Sequence, residues 1–171
     1  MLNINNSCDF YRKLLDEFDD FMADLDSARH AMNFAITAHH LHEWVWNDYL
    51  KDDAAILSRM NIRTEKREFM RWIDTQSPWF SMVQEISNGS KHFGRRSALN
   101  PQLVNDYVSP GYVEPGYLES HFEIDSGSAD VVNMPLSQLF EAVVRFWRDF
   151  FRNYSPYTDI PKGKTRLSDE Q

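Results

Sequence analysis

The stretch LSQLFEAVVRFWRDFFRNY, residues 136–154, sets Leu136, Leu139, Phe140, Val143, Phe146, Trp147, Phe150 and Tyr154 at helical spacing. Apolar residues that return every third or fourth position form one stripe on a helix, whereas in a strand they would alternate sides and leave half in water. A stripe this broad has to be covered, so the chain must supply partner helices. It does so twice with clear period. In DFYRKLLDEFDDFMADL, residues 9–25, Phe10, Leu14, Phe18, Phe21, Met22 and Leu25 are separated by acids. A longer helix is expected from a cap at Asp26 or Ser27 to about Lys51, striped by Ala31, Phe34, Ala35, Ala38, Leu41, Val45 and Tyr49. The small residues of its first half let a neighbour approach closely.

Between these the signals are shorter. Residues 52–63 read as a mixed connector, and Thr64 can cap a helix bearing Phe69, Met70, Trp72 and Ile73 that stops at TQSP. Ser77 before Pro78 has the form of an N-cap with proline at the first helical position, so a further helix should carry Trp79, Phe80, Val83 and Ile86 toward Asn88. Gly89 is its expected break. From Arg95 to Pro135 the texture changes to turn signals, with YLESHFEI and ADVVNM flanking DSGS, which predicts a β-hairpin across Asp125 to Ser128. The fold class is therefore mainly α: a helical bundle of four to five helices with a small β-hairpin before the last helix. A length of 171 residues suits one domain over 1–154, with the hairpin as an insertion at about 116–134 and 155–171 as a loose tail.

A single cysteine, Cys8, excludes an internal disulfide, and no apolar run approaches the roughly 20 residues of a membrane helix. With no basic head leading into an apolar stretch at the start, a soluble cytoplasmic protein is expected. The net charge of −8 argues against broad attraction to nucleic acid, but it is unevenly spread. Residues 63–96 carry 7 Lys and Arg against 4 Asp and Glu, while the segments on either side are acidic.

That basic segment ends in EISNGSKHF, residues 85–93. Asn88 and His92 stand at i and i+4, with Lys91 next to His92 and Arg95 beyond. An imidazole and an ammonium on one face can hold a phosphodiester, and histidine moves a proton near neutral pH. The long second helix adds a row at i, i+4, i+7 and i+11: Asn33, Thr37, His40 and Trp44. Polar groups in or beside a core need partners, so a hydrogen-bonded structural network is the plainer account of this row. His39, His42 and Glu43 have a spacing that suits a metal, but matching ligands on other helices are missing, so no metal and no cofactor are expected and His39 and His42 are expected to face solvent. Walker-type, dinucleotide-binding and paired-cysteine signatures are all missing.

The segment Asn88-Gly89-Ser90-Lys91-His92 resembles the Arg-Asn-x-x-x-His signature of the HEPN superfamily of small helical bundles, with Ser87 in the arginine position. A wider stretch, about 30–152, is similar to a group of bacterial and phage proteins that share TAxHLxxWVW, matched by residues 37–46, then xNGxKH and a terminal FWRDFF-like helix. The resemblance implies a HEPN-like bundle. In active members it implies metal-independent RNA cleavage in a composite site between two protomers, with the arginine and the histidine, here His92, as the essential pair and Lys91 or Arg95 left to replace the arginine. Together with the spacing, this gives His92 and Asn88 as catalytic candidates and Lys91, Arg95, His40 and Trp44 as substrate-binding candidates. Two readings follow. One is a nucleotide- or RNA-binding module with a degenerate ribonuclease motif, acting as a homodimer. The other is a non-catalytic protein-interaction module of the kind associated with phage defence or toxin–antitoxin systems, in which the same residues tie helices together.

Overall fold

The computed structural model describes residues 4–91, 102–104, 121–124 and 134–170. Six α-helices lie among them: α1 (Ser7–Ala23), α2 (Ala28–Asp48), α3 (Ala54–Met60), α4 (Lys66–Gln76), α5 (Phe80–Lys91) and α6 (Leu136–Tyr154). The fold is mainly helical, as the periodicity requires. Helix α1 starts under the Asn6 side chain, which accepts from the Asp9 amide at 2.8 Å. Ser27 does the same for α2 through the His30 amide.

The connector between α2 and α4 is more ordered than its mixed pattern suggested. A 3-10 turn, Leu50–Asp52, leads to Asp53, whose carboxylate caps α3 by accepting from the amides of Ala55 and Ile56 at 3.1 and 2.9 Å. Asn61 then closes α3 with φ at 55°, the left-handed conformation that asparagine tolerates better than most residues. The N-cap of helix α4 is Glu65, one residue after the expected Thr64, and it makes no side-chain cap bond; Glu68 instead reaches back to the Arg63 amide at 2.7 Å. Ser77, expected to cap α5, closes α4 by donating its amide to the Ile73 carbonyl. A turn at Pro78 and Trp79 intervenes before α5, and the Ser77 hydroxyl is buried with no partner among the described residues.

Three short strands, β1 (Gln102–Val104), β2 (His121–Ile124) and β3 (Met134–Pro135), form an antiparallel sheet in that order, with Leu103 opposite Phe122 and Ile124 opposite Met134. The Asp125 to Ser128 turn of the expected hairpin lies outside the described residues.

The core is built mainly of aromatic side chains. Phe34 stacks on Phe140 at 4.0 Å between ring centroids, and Phe21 meets Phe140 edge-on, joining α1, α2 and α6. Tyr11 stacks on Phe151 at 4.7 Å. Phe69 of α4 contacts Trp46 and Phe150, and Phe80 of α5 contacts Trp147. All these rings are buried, and each helix except α3 contributes at least one.

Residues 155–170, expected as a loose tail, are held along α1 and α6. Leu167 is buried, and Tyr157 and Ile160 pack against the core. Asp19 accepts from the amides of Lys164 and Thr165 at 2.9 and 2.7 Å. The largely buried Arg148 holds Asp169 through two parallel bonds of 2.9 and 2.6 Å. The charge and turn content of this segment concealed partners that lie more than a hundred residues away or on the preceding helix.

Candidate functional site

Helix α5 carries the motif, and its sequence decides which face is inward. Phe80, Val83, Ile86 and Ser87 are buried at spacings of three, three and one. Ser87 therefore shares the core side of the helix with Val83 and Phe80, although it is polar. Helix α2 packs along this side. The helix passes through Gly89, its expected break, and ends at Lys91.

The group that meets Ser87 is His39. Its Nδ1 and the Ser87 Oγ share a hydrogen bond of 3.2 Å, and both residues are buried. One turn later His42, also buried, donates its Nδ1–H to the His39 carbonyl oxygen. That bond fixes the proton on Nδ1 and leaves Nε2 bare in the neutral ring. The His42 ring stands edge-on to Phe80 at 5.9 Å, and His39 lies 6.2 Å from the same ring. Burial pushes the His42 pKa below its ordinary value of 6.5, outweighing its backbone bond and the nearby Glu43, so the ring is kept neutral.

The expectation that His39 and His42 face solvent is thus overturned. They fall in the same inward arc as Ala35 and Ala38, which the apolar stripe already marked. The periodicity contained this information, and the acidic character of the neighbouring helix masked it. Among the described residues no group of His, Cys, Asp or Glu is placed to hold a metal ion.

The row Asn33, Thr37, His40 and Trp44 is directed differently. Thr37 is buried, and its Oγ1 accepts from Lys13 Nζ of α1 at 2.7 Å, a lysine that also pairs with Glu17. Trp44 stacks on Phe10 of α1 at 4.7 Å and lines a cavity of about 530 Å³ with Asn5, Asn6, Glu43, Asn47 and Asp48. Two members of the row therefore meet α1. His40, with its side chain 31% exposed, lies 3.5 Å from Glu43, whose other oxygen takes a 2.6 Å bond from Lys66. The Lys66 ammonium holds the Glu43 carboxyl below its usual range.

Asn88 is half-buried on α5. His92 and Arg95 lie outside the described residues, and so does the expected approach of His92 to His40. The chain matches no family model, no curated protein and no solved structure.

A serine bonded to an imidazole, as Ser87 is to His39, has the composition of a nucleophile and its base. At 0% exposure, however, Ser87 Oγ has no access to a substrate. What the pair can do is satisfy two polar groups across the α2–α5 seam and fix how the two helices meet.

Proposed function

We propose that this chain is a HEPN-like helical module whose role is non-catalytic and which acts by binding a protein partner or a second copy of itself. The observation that carries the reading is the setting of Ser87. It stands where the HEPN pattern has its arginine, and it is fully buried and bonded to the buried His39. A guanidinium that binds phosphate has to reach solvent, and this position points into the seam between two packed helices.

The test restores the missing residue. Ser87→Arg forces a long cation into the α2–α5 seam, and the expected result is a protein that unfolds or melts far lower, by the several kcal/mol of an unpaired buried charge. A folded Ser87→Arg protein that cleaves single-stranded RNA in EDTA would overturn the reading. For the natural chain we expect RNA to remain intact under the same conditions.

The second reading, an RNA- or nucleotide-directed module, is favoured by one feature. Because α5 continues through Gly89, Asn88 and Lys91 stand at i and i+3 near the end of one helix, directly before His92. On this reading RNA is cut in EDTA, and His92→Ala abolishes cleavage while the protein stays folded.

A further inference from the structure

Helices α4 and α6 and the turn before α5 line an open groove of about 430 Å³ that shares no residue with the His39–Ser87 seam. Much of its wall is aromatic. Trp72, Trp79, Phe146 and Tyr154 are half-buried, so part of each side chain faces solvent. Trp72 stands at 83° to Tyr154, with 5.4 Å between centroids, and at 48° to Phe146. Rings at such steep angles make a corrugated wall with notches between them. Arg59 covers the Tyr154 ring from one side at 5.4 Å. Partly exposed aromatic rings inside a polar rim have the composition of a protein-binding surface.

The charged groups of the rim are engaged within the chain. Arg145 donates to Glu141 and Ser168, and Asp149 accepts from Arg148. What the groove offers instead are neutral donors. The Gln76 amide, the Tyr154 hydroxyl and the indole N–H groups of Trp72 and Trp79 line it, and none of them forms a hydrogen bond with a described residue. The walls are helical, so they present no open strand edge to an extended β-strand. A helical partner keeps its carbonyl oxygens in its own ladder and leaves these donors unmatched.

We infer that this groove binds a proline-rich segment of a partner protein in the polyproline II conformation. Prolyl residues carry acceptor carbonyls and no N–H, their rings fit notches between aromatic side chains, and the polyproline II backbone has no internal hydrogen bonds to give up. The length agrees. The α6 lining runs from Ala142 to Tyr154, about 18 Å at about 1.5 Å per residue, which a polyproline II segment of about six residues covers at about 3.1 Å each. This inference rests on the reading of the chain as a protein-binding module and names the chemistry of the partner.

The test is calorimetric titration of the full chain with end-blocked octaproline, with a blocked glycine–serine octapeptide and an uncharged helical peptide of alanine, leucine and glutamine as separate arms. Octaproline is expected to bind with a dissociation constant of about 1 mM or lower and to be insensitive to salt, since no charge takes part. The other two peptides are expected to bind more weakly. Gln76→Ala combined with Tyr154→Phe keeps the ring wall and is expected to leave the melting temperature unchanged while weakening octaproline about tenfold, the scale of two lost hydrogen bonds. Failure of folded wild-type protein to bind octaproline at millimolar concentration would overturn the inference, as would equal affinity in the double variant or tighter binding of either control peptide. Failure with RNA left intact overturns only the partner's chemistry, whereas RNA cleaved in EDTA overturns the module reading on which it rests.

Discussion

At the scale of single residues, the decisive group is a histidine that the surrounding sequence disguises. HHLHEW looks like a charged surface run, yet His39 and His42 are inside and His40 is partly out. Helical phase separates them: 39 and 42 lie with Ala35 and Ala38, and 40 lies with Thr37 and Trp44. His42 makes this testable. Its folded pKa is depressed below 6.5 by burial, so between the two values the unfolded chain binds a proton that the folded chain does not. Its contribution to stability is complete above pH 6.5 and is lost as pH falls through the folded value. Urea unfolding should show stability declining as pH falls from 6.5 toward the folded value, and His42→Gln should flatten this part of the curve. His39→Ala removes a partner from Ser87 and should cost about 1 kcal/mol or more in the same measurement.

At the scale of elements, caps decide where helices begin and end, and they were only partly legible. Ser27 and its helix were found because a small polar residue precedes a long period. Helix α3 was missed because seven residues hold barely two turns of pattern, too few for a stripe to stand out. Its existence rests on Asp53 at one end and Asn61 at the other. Asp53→Ala should therefore destabilise the protein by about 1 kcal/mol. Asn61→Ala should also destabilise it, because alanine resists a φ of 55°, while Asn61→Gly should be neutral or slightly stabilising. Chemical denaturation of the three variants checks both statements.

At the scale of the whole molecule, the ends of the chain are tied to the middle. Asp48, at the end of α2, accepts from the Ser7 amide at 2.9 Å, from the Ser7 hydroxyl at 2.7 Å and from the Tyr157 hydroxyl. Burial raises its carboxyl, but the three bonds together outweigh burial and leave the pKa below the ordinary 3.8. A depressed carboxyl stabilises the fold above its unfolded value and stops doing so as pH falls through the folded one. Acid unfolding of the wild type should accordingly include a contribution below pH 3.8 that Asp48→Asn lacks. Burial and the bond to Asp48 push the Tyr157 pKa up to about 12. Truncation after Tyr154 should lower the melting temperature markedly, since it uncovers the surface that Leu167, Tyr157 and Ile160 protect and leaves the largely buried Arg148 without Asp169. A truncated chain as stable as the full one would show that segment to be dispensable.

The sequence by itself determined the long helices and most of the core, because an apolar period over 17 to 21 residues has one economical solution: a helix with that stripe inside. It also marked α5 and the residues of its motif. Only the tertiary structure decided which face of α2 meets α5, and hence that His39 rather than His40 binds Ser87. Only the tertiary structure gathered Trp72 and Trp79 with Phe146 and Tyr154 of α6 into one groove. Both outcomes depend on contacts between residues distant in the chain, which helical period within one segment does not encode.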